Sequence, residues 1–372
     1  MINRESVGDG VVAEVQTAPG EYPTYNIDGI TQNMTAAERA KWDEALAAGN
    51  PPRTERITFL GAEAPKPITG AYGESIVPGR FHDGSKELAL NIHTKSLGPE
   101  DGWPVVFFHG TPGSAIGPHP HVNLLYTAGI RLLAISRPDC GLSSSQSGRI
   151  VADCASYAEA VIAANGLHDS GEGLYVAGRS GGAPGALACL ALLPQVEGGV
   201  AIGSMAPPTD SDAWLANTTP GNKQAYGVTL EKRPELLARC FEEAKNPRLI
   251  YDDILKNVSP SEQRVVREIR QELIAAFKSC SPYGRYYDVL AAQSPWGFSL
   301  GDIPEHKLTF LIQSGEDPFS PIDHFYDLVD SIPHSTYNVL LDRGHLGTYG
   351  YKTVQILIHL LFKRANQAKE KH

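Results

Sequence analysis

Leu174-Tyr-Val-Ala-Gly-Arg-Ser180-Gly-Gly-Ala-Pro-Gly-Ala-Leu187 decides how this chain is read. Its opening residues, Leu174–Ala177, form an apolar run that suits a strand buried on both faces of a sheet. Gly178-Arg179-Ser180-Gly181-Gly182 follows, a G-x-S-x-G turn. Then comes Gly185–Leu193, apolar all round, which reads as a helix buried against that sheet; Pro184 sits near its first turn, where a missing N–H costs nothing. A strand, a tight turn and a helix in this order force the serine onto a strained bend with its hydroxyl above the sheet edge. The flanking glycines are needed because a Cβ there would meet the neighbouring backbones. In a chain with 37 glycines the bare pattern means little, so its weight comes from the strand and helix that frame it.

Outward from this turn, similar apolar runs recur at Glu87–His93, Val105–Phe108, Arg131–Ile135, Gly199–Gly203, Lys307–Ile312 and Tyr337–Leu341. Helical patterns lie between several of them, including Val151–Asn165, closed by Gly166, and Tyr351–Asn366 at the end. Alternating β and α predicts an α/β fold, a doubly wound and mostly parallel sheet whose strand ends gather the active site along one carboxyl edge. From Pro207 to about Pro304 the alternation stops. Helix patterns at Asn222–Lys245 and Pro260–Lys278 have no convincing strand between them and predict an inserted helical cap. The expected organisation is an amino-terminal arm over 1–55, an α/β core over 56–206 and 305–372, and the cap over 207–304. The arm is partly irregular, with one helix at Thr35–Ala48 that opens on a capping box, Thr35 and Glu38, and stops at Gly49. It is expected to lie on the domain, across the cap, or to exchange between the subunits of a homodimer.

A serine hydroxyl is a poor nucleophile, so it needs a base, and the base needs an orienting acid. In this topology they follow the serine in the order acid, histidine. After the run Lys307–Ile312 comes Gln313-Ser-Gly-Glu-Asp317-Pro, which places Asp317 in a loop at the carboxyl edge, with Glu316 as the alternative carboxylate. After Leu341 comes Asp342-Arg-Gly-His345-Leu-Gly, and of twelve histidines only His345 is placed by this logic. An oxyanion would be held by two backbone N–H groups, from Gly181 and from Thr111 in His109-Gly-Thr-Pro-Gly-Ser. Pro112 should stiffen that loop, and His109 is expected to brace it rather than react.

The 372 residues carry 32 basic and 42 acidic side chains, a formal charge of −10, which disfavours nucleic acid and membrane surfaces as partners. The longest apolar run, Ala186–Leu193, is too short to span a bilayer, and MINRESVGDG does not read as a secretory leader, so a cytoplasmic location is expected. The five cysteines (Cys140, Cys154, Cys189, Cys240, Cys280) form no C-x-x-C, and their odd number argues against a disulfide framework. No metal is expected: His119-Pro-His121 is the one close histidine pair and has no ligand-type neighbour. No cofactor is expected either.

Five motifs carry a resemblance: His109-Gly-Thr-Pro-Gly-Ser, Ser136-Arg-Pro-Asp-Cys-Gly-Leu-Ser, Gly178-Arg-Ser-Gly-Gly, Ser314-Gly-Glu-Asp-Pro and Gly344-His-Leu-Gly. From about Gly79 to Arg364 the chain resembles the α/β-hydrolase superfamily, in its capped branch with proline iminopeptidases, epoxide hydrolases and haloalkane dehalogenases. The resemblance puts nucleophile, acid and base on Ser180, Asp317 and His345. Serine at 180 argues against the epoxide hydrolases and dehalogenases, whose nucleophile is aspartate. The family's frequent D-R-P-G-x-G reads S-R-P-D-C-G here, which leaves Asp139 and Cys140 near the site with no assigned role. The expected activity is serine hydrolysis of an ester, lactone or amide bond in a small-molecule substrate. An aminopeptidase would want cap carboxylates for the substrate ammonium, with Glu231, Glu235, Glu242, Glu243 and Glu272 as candidates. A non-hydrolytic enzyme of this fold (acyl transfer, cyclisation or lyase chemistry) or a ligand-binding protein is the remaining class, since fold does not fix function. The cap aromatics Tyr226, Tyr251, Tyr283, Tyr286 and Tyr287, with Trp214 and Trp296, are expected mostly in the cap core, some lining a pocket.

Overall fold

Residues 103–108 show why this sequence makes a two-sided sheet. Val106 and Phe108 point into one core with Leu133, Val176 and Leu187, while Val105 and Phe107 point into another with Leu132, Tyr175 and Leu125. Burying each such side chain is worth about 1.5–3 kcal/mol, so a strand apolar on both faces is stable only with helices above and below it. The computed structural model describes residues 25–347 apart from 51, 69–72, 118–121, 168–172 and 210. The expected closing helix Tyr351–Asn366, together with His119 and His121, lies outside the described residues.

The chain runs α1 (Ile27–Thr31), α2 (Ala36–Ala47), β1 (Thr58–Ala62), β2 (Lys66–Pro67), β3 (Glu74–His82), β4 (Glu87–Leu97) and β5 (Trp103–Phe108). Next come α3 (Val122–Ala128), β6 (Ile130–Ile135), α4 (Asp153–Ala164), β7 (Leu174–Arg179), α5 (Ala183–Leu192) and β8 (Val196–Ile202). Helices alone follow: α6 (Ser211–Trp214), α7 (Pro220–Tyr226), α8 (Arg233–Lys245), α9 (Arg248–Asn257), α10 (Pro260–Glu268), α11 (Arg270–Lys278) and α12 (Pro282–Ala292). The core resumes with β9 (Leu308–Ser314), α13 (Ile322–Ser331) and β10 (Thr336–Leu340).

The strands form one sheet in the order β1-β3-β4-β6-β5-β7-β8-β9-β10, with β2 on β3. From β6 to β10 every pairing is parallel, as expected. The early strands are antiparallel, β4 included, so Glu87–His93 belongs to the antiparallel side of the sheet and not to the parallel core. β1 to β3 gave no apolar run because much of their surface is only half-buried. α5 is buried from Ala183 to Leu190, as its all-round apolarity predicts. Lys307, itself buried, donates from Nζ to Leu190 O (2.8 Å) and Leu193 O (2.7 Å), closing the carboxyl end of that helix.

The cap helices α6–α12 sit between β8 and β9. Two of their expected boundaries are corrected. Asn222–Lys245 is not one helix: α7 ends at Gly227, whose N–H returns to Lys223 O, and α8 restarts with Pro234 in its first turn, where no donor is required. Pro260–Lys278 is likewise divided at Ile269. In the arm, the capping box of α2 is present: Thr35 N donates to Glu38 Oε2 (2.8 Å), and Glu38 N donates to Thr35 Oγ1 (3.3 Å). Ile30, Trp42 and Ala45 of the arm pack with Leu236, Leu237, Tyr283 and Tyr286 of the cap, so residues 25–50 lie across the cap. Cys140 and Cys280 are joined in a disulfide between the loop after β6 and the segment before α12, a pairing that the odd cysteine count concealed. Cys154, Cys189 and Cys240 are free and buried.

Candidate active site

Ser180 has φ +51°, a left-handed conformation that costs a non-glycine residue about 1–3 kcal/mol and persists only where its surroundings impose it. Here β7 and α5 impose it. A Cβ on Gly178 would run into Gly182 O, and one on Gly182 into the carbonyls of Phe108 and His109, so the turn closes only with glycine at both positions. The hydroxyl stands where two other strand ends deliver their loops. Ser180 Oγ lies 2.9 Å from His345 Nε2, and His345 Nδ1 lies 2.7 Å from Asp317 Oδ2. Asp317 is buried, and its other oxygen accepts the N–H groups of Phe319 (2.9 Å) and Ser320 (3.0 Å). A carboxylate held on both oxygens fixes the imidazole with its proton on Nδ1 and its lone pair toward the serine. Glu316, the alternative acid, is solvent-exposed. Gly203, at φ +56°, lets the backbone after β8 pass beside this pair: a Cβ there would lie 3.4 Å from Asp317 Oδ2.

The two expected oxyanion donors are neighbours. A carbon built on Gly181 would fall 3.3 Å from Thr111 N. Thr111 is held from behind by residues that no sequence pattern announced. Its Oγ1 donates to Asp288 Oδ2 (2.7 Å) and accepts from Arg137 Nη2 (2.9 Å). Arg137 also donates to His109 O (2.6 Å) and forks onto both oxygens of Asp288 (Nε 3.0 Å, Nη2 2.6 Å). Arg149 Nη2 adds a fourth hydrogen bond on Asp288 (2.7 Å). Burial alone would raise the Asp288 carboxyl, but Arg137 and Arg149 outweigh it and hold that group well below the usual carboxylate range. His109 braces the loop: Nδ1 meets Gly110 O (2.7 Å), and Nε2 accepts from Arg137 N (3.2 Å). Arg137 lies in the Ser136-Arg-Pro-Asp motif, and Asp288 lies on α12 beside Tyr286 and Tyr287.

Asp139 adopts φ +64° and takes Ser145 Oγ (2.6 Å) and Gln146 N (3.1 Å), with Lys41 of the arm 3.4 Å away. It anchors arm and loop and stays out of the reacting centre. A second cap carboxylate, the buried Glu262, reaches the base loop: its Oε1 accepts from the Leu346 amide and from Gly347 N (3.0 Å). Burial pushes this carboxyl up, and the amides oppose the shift.

Two clefts meet at Ser180. The larger, about 1160 Å³, runs from Thr111, Ser180 and His345 along Tyr226, Arg285 and Trp296 of the cap. The smaller, about 520 Å³, is walled by Phe107, Ile254, Leu273, Phe277 and Leu346. Of the aromatics expected in the cap, Tyr226 and Trp296 line the larger cleft, while Tyr283, Tyr286 and Tyr287 are buried in the cap core. Glu231, Glu235 and Glu272 are exposed, Glu242 is half-exposed, and Glu243 is buried against arginines, so none of the five lines the larger cleft.

A parallel sheet with a serine on a strained strand–helix turn, crossed by a helical insertion after β8, defines an α/β-hydrolase fold. The chain belongs to the alpha/beta hydrolase family, whose model matches residues 105–350. Similar solved structures include a thermophilic esterase from Thermogutta terrifontis (malate bound), at 17% identity and TM-score 0.57, covering 77% of this chain and 98% of that one. An esterase from Exiguobacterium antarcticum matches at 20% identity and TM-score 0.53, covering 73% and 96%. An enol-lactonase from Burkholderia xenovorans LB400 matches at 12% identity and TM-score 0.54, covering 74% and 96%. At these identities the likeness is one of fold. No curated relative matches the chain. Among the described residues no helix is long and apolar enough to cross a membrane.

Proposed function

We propose that this chain is a serine hydrolase that cleaves an ester, lactone or amide bond of a small molecule through an acyl-enzyme. The observation that carries the reading is the relay Ser180 Oγ–His345 Nε2–Asp317, at 2.9 and 2.7 Å, ending on a serine in a strained backbone conformation. Ser180 Oγ attacks the carbonyl carbon as His345 Nε2 takes the hydroxyl proton. The imidazolium holds its Nδ1–H in the hydrogen bond to Asp317 Oδ2, which steadies the charged ring. Negative charge gathers on the carbonyl oxygen, and the N–H groups of Thr111 and Gly181 meet it there. Each such preorganised donor is worth about 3 kcal/mol of barrier. His345 Nε2–H then protonates the leaving group, and water repeats the sequence to release the acid. The two clefts that meet at Ser180 would give room to the acyl and leaving halves.

None of the five glutamates offered for an aminopeptidase lines the larger cleft; the cap carboxylates on that lining are Asp253 and Asp288. The reading is tested with a fluorophosphonate probe and with p-nitrophenyl butyrate. The wild-type chain should label at Ser180 and turn the ester over, and Ser180→Ala should do neither while keeping its fold by circular dichroism. Undiminished turnover in Ser180→Ala would end this proposal.

A further inference from the structure

The smaller cleft at Ser180 owes its walls to elements far apart in the chain. On α11, Leu273 and Phe277 stand four residues apart and so share one face of the helix. Ile254 joins them from α9, Phe107 from β5 and Leu346 from the loop that carries His345. All but Ile254 are buried. The oxyanion loop adds Gly110, Pro112 and Gly113, which bring no polar side chain. Of the polar side chains on this lining, Ser180 and His345 are the proposed reacting pair. His109 is bonded to Gly110 O and Arg137 N, and Thr111 Oγ1 is bonded to Asp288 and Arg137. Among the described residues, the remaining polar side chain is Arg179, buried at the end of β7.

The larger cleft shares Thr111, Ser180 and His345 with the smaller one but differs in character. The ion pairs of Arg137 and Arg149 with Asp288 lie along it, and Asn222 and Arg285 stand on its cap wall beside Tyr226 and Trp296. Polar linings hold water, whereas apolar ones stay dry. His345 gives a proton to the leaving group in acylation and takes one from water in deacylation, so the water enters where the leaving group left. We propose that the smaller cleft is the acyl pocket, and that the substrate is an ester or amide whose acyl part is an apolar chain, its length limited by Leu273 and Phe277. The larger, hydrated cleft is then the side of the leaving group and of the incoming water. The smaller keeps the acyl chain dry while it is bonded to Ser180 Oγ. Its volume of about 520 Å³ lies within the range of small-molecule pockets. This assignment rests on the hydrolase reading above for the reacting centre.

The test sets two isomeric esters against each other, methyl hexanoate and pentyl acetate, which carry the same pentyl chain on opposite halves. Followed by acid release from the wild-type chain, kcat/KM should favour methyl hexanoate by about tenfold or more, since each buried methylene is worth about fourfold. Monomethyl adipate, whose chain ends in a carboxylate, should be turned over more slowly than methyl hexanoate. Leu273→Trp, which fills the cleft, should cost methyl hexanoate more than methyl acetate. Equal or faster turnover of pentyl acetate or of monomethyl adipate overturns the assignment, and neither result needs a variant to fold. So does a folded Leu273→Trp that keeps the wild-type ratio of hexanoate to acetate. Calorimetric titration of Ser180→Ala reads the pocket without turnover: methyl hexanoate should bind about tenfold tighter than methyl acetate, and equal affinities overturn the pocket whatever becomes of the hydrolase reading. Failure to turn over p-nitrophenyl butyrate counts against the hydrolase reading instead.

Discussion

Asp288→Asn removes one negative charge where the cap meets the oxyanion loop, and two separate losses follow. Asp288 accepts four hydrogen bonds, from Arg137 Nε and Nη2, Arg149 Nη2 and Thr111 Oγ1. An asparagine keeps one acceptor oxygen and turns an NH₂ group toward a guanidinium or the threonine hydroxyl. Breaking one partner of a buried ion pair costs about 3–5 kcal/mol, within a total stability of about 5–15, so the variant should fold with a clearly lower denaturation midpoint. The sign with pH follows from the depressed carboxyl. Its contribution is present above the ordinary carboxylate range and is lost as pH falls toward its own lower value, so the gap between wild type and variant should close in acid. The chemical loss is distinct. Removing one oxyanion donor outright costs about 10²–10³ in kcat. A Thr111 amide displaced but still present should cost about tenfold to a hundredfold, with KM little changed, because the oxyanion exists only near the transition state. Denaturant titration measures the first loss, and kcat and KM for p-nitrophenyl butyrate, taken where the variant is fully folded, measure the second. If both residues act through one hydrogen bond, Thr111→Val combined with Asp288→Asn should be no slower than the slower single variant. Wild-type kcat in Asp288→Asn, or full additivity with Thr111→Val, would refute the reasoning.

Glu262→Ala leaves the Leu346 and Gly347 amides without their acceptor; it should lower kcat about tenfold through a loosened His345, whereas Glu262→Gln, which keeps an acceptor oxygen, should recover most of it. Steady-state kinetics on the two variants decides this, and equal rates would show that the contact is idle. Lys307→Met should lower the unfolding midpoint, by about 1–3 kcal/mol of stability, while leaving turnover unchanged, since it orphans Leu190 O and Leu193 O far from the serine. An unmoved thermal midpoint would contradict it. Burial pushes the Cys154 thiol up to about 12, so at pH 8 it should resist iodoacetamide in the native protein and react on unfolding, read by peptide mass spectrometry. Native labelling at the rate of an exposed thiol would show that Cys154 is open to solvent.

What could be read in advance was what is local. β5 to β10 could be placed because each is a short apolar run, and Ser180, Asp317 and His345 because each follows such a run in a loop with turn residues. β1 to β3 escaped because half-exposed antiparallel strands lack that run. Asp288, Arg137 and Arg149 escaped for another reason: the contacts join positions 151 and 139 residues apart, and nothing near any one of them marks the other. The pairing of Glu243 with Arg239 and Arg285 was invisible likewise, since Glu243 reads in sequence as one more acid on a helix. It becomes a shared counter-ion only when α8 and α12 pack side by side.

The insertion between β8 and β9 read as a helical cap, and the packing makes it part of the frame of the site. The core supplies Ser180, Asp317 and His345, the proposed nucleophile, acid and base, after strand ends, but the loops carrying Thr111 and His345 are each fastened from the cap side, one by Asp288 and one by Glu262. Lifting the cap as a body would strip Asp288 from Arg137 and Arg149 and expose a buried charge cluster, at about 3–5 kcal/mol for the pair alone. The Cys140–Cys280 link ties the same two layers covalently. The two clefts that meet at Ser180 are walled by core and cap together. With the cap seated in this way, the proposed oxyanion donors Thr111 and Gly181 would keep their places through the reaction, which preorganised stabilisation requires.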